Sequence, residues 1–131
     1  LNPILAKVDA KDSERSFHID TPRNEVPDSL DAEMIDDARP VFERREKMQL
    51  TYTVRNTHRA VGTRFSAEIT AKYGMSTLNE DHVHIRLRGS AGQSLGAFLC
   101  QGITLEVFGD SNDYVGKGLC GGKIVVRPMV S

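Results

Sequence analysis

The chain has 131 residues, of which 39% are hydrophobic and 27% are charged, a size and composition typical of one domain. A formal net charge of -1 excludes the strongly basic surface that attracts nucleic acid or anionic lipid, so neither a nucleic-acid nor a membrane partner is expected. No apolar run approaches the roughly 20 residues that cross a bilayer, and the first residues lack a signal-peptide core, so we expect a cytoplasmic location.

Residues 1–47 are expected to form an irregular and helical lead-in. Three prolines interrupt its first part, a composition that favours irregular chain. In the segment 28–47, Met34 and Ala38 lie four residues apart on one helical face, and Pro40 is expected to end or kink the helix. The pattern predicts a helix, a break and a shorter helix.

Two later segments alternate apolar and polar residues with the period of a half-buried strand. The first, MQLTYTVRN, begins at Met48, and the second, HVHIRLRG, begins at His82. Between them, the segment from Ser66 to Tyr73 is predicted to be a short helix that Gly74 ends. The short helix is therefore an insertion between two strands.

The glycine-rich region repeats itself with a period of 20 residues. When the sequence is shifted by this period, glycines coincide with glycines and apolar residues with apolar residues. We call the paired glycines the glycine corners: Gly89, Gly96, Gly102, Gly109, Gly116 and Gly122. We call the apolar positions the inner column: Ile85, Leu87, Leu95, Leu99, Leu105, Val107, Val115 and Leu119. A fainter earlier copy places Val54 near the position of Leu87, and Val61 and Gly62 on Leu95 and Gly96.

A repeat of short strands and glycine bends cannot bury its apolar face alone, so successive copies must stack. The predicted fold is therefore mainly β, a parallel β-helix whose first coils occupy residues 48–131. Stacked residues are expected about 4.8 Å apart, with the inner column as the core. Glycine is required at the bends because they use positive φ or bring backbones close together.

Nucleotide binding is the main alternative use of these glycines, and the spacing argues against it. The segment Gly116–Gly121 matches G-x-G-x-x-G, but a β-type run follows it where a dinucleotide site requires a helix. A P-loop is also absent, because Gly118 occupies the position of its Ser or Thr. No catalytic, cofactor-binding or metal residue is therefore assigned.

Five other side chains are candidates for chemistry. His82 and His84 share a strand face and could contribute to a metal site, but a solvated strand face is favoured. His58 is interpreted as a corner or interface residue rather than an active-site proton donor. Cys100 and Cys120 fall in the same register of adjacent copies, close enough for a disulfide, and are expected to be stacked reduced thiols.

Three segments carry a resemblance to a known family: DARPVFERREKMQLTYTVRNTHRAVG, RAVGTRFSAEITAKYG and HIRLRGSAGQSLGAFLCQGITLEVFGDSNDYVGKGLCGGKIVVRP. From about Asp28 to Pro128 the chain resembles the C-terminal GxGxG domain of the glutamate synthase large subunit. The resemblance implies a right-handed β-helix that acts as a structural scaffold and carries no cofactor.

The resemblance also implies properties of the parent enzyme. An amidotransferase domain releases ammonia from glutamine, and the ammonia combines with 2-oxoglutarate in a barrel domain that carries FMN and an iron–sulfur cluster, where reduction gives glutamate. These two domains are the expected partners, together with an electron-donating subunit or ferredoxin. The alternatives are a β-helix subunit of another oxidoreductase complex, resembling formylmethanofuran dehydrogenase, and a free-standing interaction module.

The sequence departs from the repeat and from the family near its end. Arg127 falls in the register of Leu87 and Val107, so either the register slips by one residue or the stack ends there. The family domain continues through more coils, and an unfinished stack exposes an unpaired edge. The expectation is a piece of a longer polypeptide.

Overall fold

A computed structural model describes residues 28–129. The elements in chain order are α1 (Leu30–Asp37), α2 (Arg39–Arg44), β1 (Met48–Val54), α3 (Thr63–Tyr73), β2 (Val83–Ala91), β3 (Ile103–Ser111) and β4 (Lys123–Arg127). Within that part of the chain, no helix combines the length and the apolar character needed to cross a bilayer. The first part of the predicted lead-in, residues 1–27, lies outside the described residues.

The four strands form one parallel sheet in sequence order, β1-β2-β3-β4. Every neighbouring pair is parallel, so the chain returns to the same end of the sheet before each new strand begins. The three helices accompany this sheet, which makes the architecture α/β rather than the mainly β fold that the sequence predicted. The difference arises because α1, α2 and α3 occupy a large share of the chain before β2.

The pairing register reproduces the sequence repeat between β2 and β3. Leu87 pairs with Val107, and Gly89 pairs with Gly109, which is an offset of 20 residues. The earlier copy is different, because Tyr52 rather than Val54 pairs with Leu87. Val54 therefore lies two residues from the position of Leu87, near which the sequence placed it, since the inserted helix removes the fixed period.

Helices α1 and α2 confirm the predicted helix, break and shorter helix. The backbone N–H of Ala38 donates to Met34 O at 3.0 Å and closes α1, and Pro40 then lies in the first turn of α2. Proline is tolerated there because the first N–H groups of a helix have no intrahelical acceptor. Arg45, with a φ of 57°, ends α2.

The core lies between the inner face of the sheet and the three helices. Alternation along β2 directs Val83, Ile85 and Leu87 inward, and each is fully buried. Its largest buried contributions from the helices come from Met34 of α1 and from Phe65 and Ile69 of α3. The helices thus cover the open side of the apolar surface that a single sheet leaves.

Candidate functional site

The glycine corners Gly89 and Gly109 lie directly above one another in the sheet. A Cβ atom built on Gly89 would come within 2.3 Å of Val54 O, and one built on Gly109 within 2.0 Å of Gly89 O. Both residues also have positive φ, at 123° and 148°. Only glycine allows the three strands to approach this closely. We call Gly89 and Gly109 the glycine column, and this column fixes the spacing of the sheet.

The corners Gly96 and Gly116 repeat the same local geometry in successive turns of the chain. Their φ angles are 64° and 65°. The N–H of Gly96 donates to Val61 O at 2.8 Å, and the N–H of Gly116 donates to Leu95 O at the same distance. The chain thus makes the same bend twice and bonds each bend to the turn before it.

The last corner lies at Gly121 and not at Gly122. Gly121 has a φ of 93°, close to the 95° of Gly102, whereas Gly122 has no positive φ. The second copy has one residue fewer between its cysteine and its strand, because Cys100 pairs with Cys120 while Thr104 pairs with Lys123. The register therefore slips by one residue, which was one of the two predicted explanations for Arg127.

The inner column is buried in its first six members and exposed in its last two. Ile85, Leu87, Leu95, Leu99, Leu105 and Val107 are fully buried. Val115 and Leu119 are 42% and 48% exposed, so they lie outside the core that the described residues form. They belong to the final turn, which has a neighbour within the described chain on one side only.

A polar cluster occupies the outer face of the sheet, around Glu106. The Glu106 carboxylate lies 3.0 Å from His84 Nε2, 3.3 Å from Arg86 Nε and 2.6 Å from Arg127 Nη2. Burial by itself raises the pKa of Glu106, but the His84 hydrogen bond and the charges of Arg127, His84 and Arg86 outweigh it and lower the pKa. The cluster ties β2, β3 and β4 together across the sheet.

A second polar link lies beside the first. Asp81, at the start of the β2 segment, accepts hydrogen bonds from Thr104 Oγ1 and from Lys123 Nζ. The Thr104 hydrogen bond and then Lys123 lower the pKa of the Asp81 carboxyl. A groove of about 310 Å³ runs along these two clusters, and its ionised groups already pair with one another.

Asp31 is a buried carboxylate that the sequence analysis did not identify. Its oxygens accept hydrogen bonds from the N–H groups of Gly62, at 2.8 Å, and Phe65, at 3.0 Å. Burial raises its pKa, and the backbone hydrogen bonds oppose that effect. Asp31, in α1, therefore caps the N-terminus of α3. The dipole of α3 favours a negative charge at that end.

The histidines singled out from the sequence occupy different environments. His82 is 8% exposed and His84 binds Glu106, so the expected solvated strand face was wrong. His58 Nδ1 accepts from the N–H of Arg55 at 3.3 Å in the bend after β1, which agrees with a corner residue. Among residues 28–129 no group of histidine, cysteine, aspartate or glutamate side chains is arranged to hold a metal ion.

A groove with a volume of about 450 Å³ lies between the three helices. Its apolar floor includes Ile35, Phe42 and Ala71. Charged side chains surround this floor: Asp36, Arg39, Glu43, Glu68 and Lys72. The groove offers apolar surface within a charged rim and no convergent catalytic pair.

Comparison with known proteins gives a consistent match. The family model of the GXGXG motif matches residues 31–131. The chain is 62% identical over its whole length to a glutamate synthase [NADPH] large chain from Azospirillum brasilense, and covers 9% of that protein. It is 46% identical over 99 residues to a glutamate synthase [NADH] from Saccharomyces cerevisiae, and 50% identical over 78 residues to ferredoxin-dependent glutamate synthase 2 from a Synechocystis species. Of each of these two proteins it covers 5%.

Proposed function

Because the chain belongs to the GXGXG motif family, we propose that it is a non-catalytic scaffold domain of a glutamate synthase. The observation that carries this proposal is that the ionised groups of its outer face are held by one another. Glu106 is surrounded by His84, Arg86 and Arg127, and Asp81 binds Lys123. Groups engaged in this way stabilise a sheet and are poor candidates for acid–base chemistry.

The proposed fold of the scaffold is a right-handed parallel β-helix. Residues 48–131 form its first coils, and residues 1–47 form its lead-in. The equal geometry of Gly96 and Gly116 supports this assignment, as do parallel pairing throughout the sheet and the 20-residue offset between β2 and β3. In such a fold the inner column continues into later coils, which would bury Val115 and Leu119.

The proposed parent is a glutamate synthase, as the names of the relatives suggest, and the family resemblance implies that it converts glutamine and 2-oxoglutarate into two glutamates with a reductant. Its amidotransferase domain and its FMN and iron–sulfur domain are the proposed partners of this chain. The proposed electron donor of the parent is an electron-donating subunit or ferredoxin. We propose a cytoplasmic location for the parent. The groove between α1, α2 and α3 is the surface that we propose to face a neighbouring domain.

The coding sequence upstream of Leu1 distinguishes the glutamate synthase domain from two other candidate functions. A β-helix subunit of another oxidoreductase complex requires a different upstream domain, and a free-standing module requires a start codon near Leu1. An upstream open reading frame that encodes an FMN barrel with clustered cysteines would support the proposal that the chain is a glutamate synthase domain. The identity of 62% over the whole chain favours that outcome.

The proposal is tested with the purified chain and with the longest polypeptide that its gene encodes. We expect the chain alone to release no ammonia from glutamine and to bind no FMN in a fluorescence titration. In the full polypeptide, replacing Glu106 with glutamine should leave kcat/KM within about twofold, because a scaffold residue does not contact the transition state. Glutaminase activity or FMN binding by the chain alone would refute the scaffold role.

A further inference from the structure

Two arginines of the outer face of the sheet lie outside its ion-paired clusters. Arg88 of β2 is exposed next to the fully buried Leu87, so its side chain points outward. Arg55 follows β1 directly and is exposed after the buried Val54. Thr53 pairs with Arg88, so Arg55 lies one strand across and two residues along from Arg88. We call Arg55 and Arg88 the arginine pair.

The exposure of the arginine pair does not depend on the final turn of the described chain. Strand β2 lies between β1 and β3, so both strand neighbours of Arg88 are described, with Thr53 on one side and Phe108 on the other. Arg55 follows β1, which lies at the opposite edge of the sheet from β4. Further turns after β4 would extend the stack beyond that strand and leave the outer face of β1 and β2 open.

Neither member of the arginine pair has a carboxylate partner among residues 28–129. The Glu106 carboxylate is already engaged by three cations of its own cluster. Asp110, further along β3, forms no ion pair with either arginine. Two like charges therefore lie on one surface without a neutralising group, an arrangement that attracts an anionic partner.

The side chains beside the arginine pair offer further contacts to a protein surface. Thr51 and Thr53 are exposed on β1, and their hydroxyl groups can donate and accept hydrogen bonds. Phe108 is partly exposed beside Arg88 and adds an apolar contact. A sheet face with two cations, hydroxyl groups and one aromatic ring is a surface on which a folded partner can pack.

We propose that the arginine pair docks an acidic surface of another domain of the same polypeptide. This inference rests on the proposed function, in which the chain is one domain of a glutamate synthase. The chain covers 9% of the Azospirillum brasilense protein to which it is 62% identical, so the rest of such a polypeptide supplies the neighbouring domains. Guanidinium groups bind carboxylates through two parallel hydrogen bonds, so the pair selects a surface that presents aspartate or glutamate.

The test uses the full polypeptide that the gene encodes, with the substitution Arg88→Lys. A water-soluble carbodiimide activates carboxyl groups, and a lysine amine in contact with an activated carboxyl forms an amide bond with it. Tryptic digestion and mass spectrometry then identify both ends of the link. We expect an amide between position 88 and an aspartate or glutamate that lies outside residues 1–131.

Arg86→Lys is the matched control, two residues earlier on the same strand and the same face. Arg86 Nε lies 3.3 Å from the Glu106 carboxylate, so the amine at position 86 is expected to link to Glu106 within the chain. We expect at least about tenfold less linkage from position 86 to residues outside the chain than from position 88, because Glu106 is already held in contact. Native Lys123, 2.9 Å from Asp81, provides a link that reports on the reagent in every sample.

Three results would overturn the inference when the Lys123–Asp81 link is present. They are no link from position 88, a link only to residues within 1–131 or to a different polypeptide, and equal external linkage from positions 86 and 88. The scaffold proposal fails separately, because glutaminase activity or FMN binding by the chain alone refutes that role whichever residues are linked.

Discussion

Strands β3 and β4 are both rich in apolar residues, yet the structure buries them to different extents. Five successive residues of β3, from Ile103 to Val107, are buried, and they include the polar Thr104 and Glu106. No residue of β4 is buried, although Ile124, Val125 and Val126 lie in it. The difference is in neighbours, because β3 lies between two strands and β4 follows only one in the described sheet. In a stacked chain, position in the stack decides burial as much as side-chain type.

The largest expected effect on stability comes from placing a side chain at Gly109, which lies directly above Gly89 in the sheet. In Gly109→Ala the new Cβ meets Gly89 O at 2.0 Å, so the two strands must separate. We expect the free energy of unfolding to fall by more than about 3 kcal/mol, or the protein to fail to fold. Urea unfolding followed by circular dichroism measures the loss.

Gly116→Ala is the matched control for that experiment. Its new Cβ comes closest to the flexible end of Ile124, at 3.3 Å, and has no close backbone neighbour, so the main cost is a positive φ of 65°. We expect a loss of about 1–2 kcal/mol, the usual cost of a left-handed residue other than glycine. Equal losses at Gly109 and Gly116 would contradict the assignment of the glycine column to the interior of the sheet.

The second comparison removes apolar side chains from the two strands. Leu105 of β3 is fully buried, and Leu105→Ala is expected to cost about 2–5 kcal/mol because it leaves a cavity. Val126 of β4 is 45% exposed, and Val126→Ala is expected to cost less than about 1 kcal/mol. Chemical denaturation of both variants checks the difference, and a reversed order would show that β4 is the better buried strand.

The third comparison concerns two of the four carboxylates of α1. Asp31→Ala removes the acceptor for the N–H groups of Gly62 and Phe65, and we expect a loss of about 1–2 kcal/mol. The exposed Asp36 bonds only to Arg39 among the described residues, so Asp36→Ala should change stability by less than about 0.5 kcal/mol. Thermal unfolding monitored by circular dichroism compares them, and equal effects would remove Asp31 from its role as a cap.

The smallest expected effect is the pH dependence of the outer polar cluster. Glu106 has a pKa below its ordinary value of 4.5 in the folded protein, so the folded state favours its ionised form. Its contribution to stability is complete above pH 4.5 and is lost as the pH falls through the folded pKa. We expect Glu106→Gln to cost about 1 kcal/mol at pH 7, with the difference from wild type shrinking as the pH approaches 3. Urea titrations at both pH values measure it, with Glu68→Gln, at an exposed carboxylate outside the cluster, as the control.

The sequence predicted the parts of the fold that follow from local patterns. The break before Pro40, the alternation of β2 and the offset that pairs Leu87 with Val107 were all visible as periods or as a proline. The position of the inserted helix was also predicted, although α3 begins at Thr63 rather than Ser66. These features need no knowledge of distant contacts.

The sequence did not predict features that depend on distant parts of the chain. Asp31 contacts residues more than 30 positions away, and no short motif marks that contact. The Glu106 cluster joins three strands, so it became visible only when their register was fixed. The exposure of Leu119 depends on which strands lie beside the final turn, which a repeat count does not contain.

The most direct test of the account is a methyl NOE spectrum of the isotope-labelled protein. We expect cross-peaks between Leu87 and Val107 and between Val107 and Val126, because these residues are vertical neighbours in the sheet. A cross-peak between Ile85 and Leu105 is also expected. A spectrum in which Leu87 has no contact with Val107 and the methyl contacts are confined to residues close in sequence would contradict the stacked arrangement.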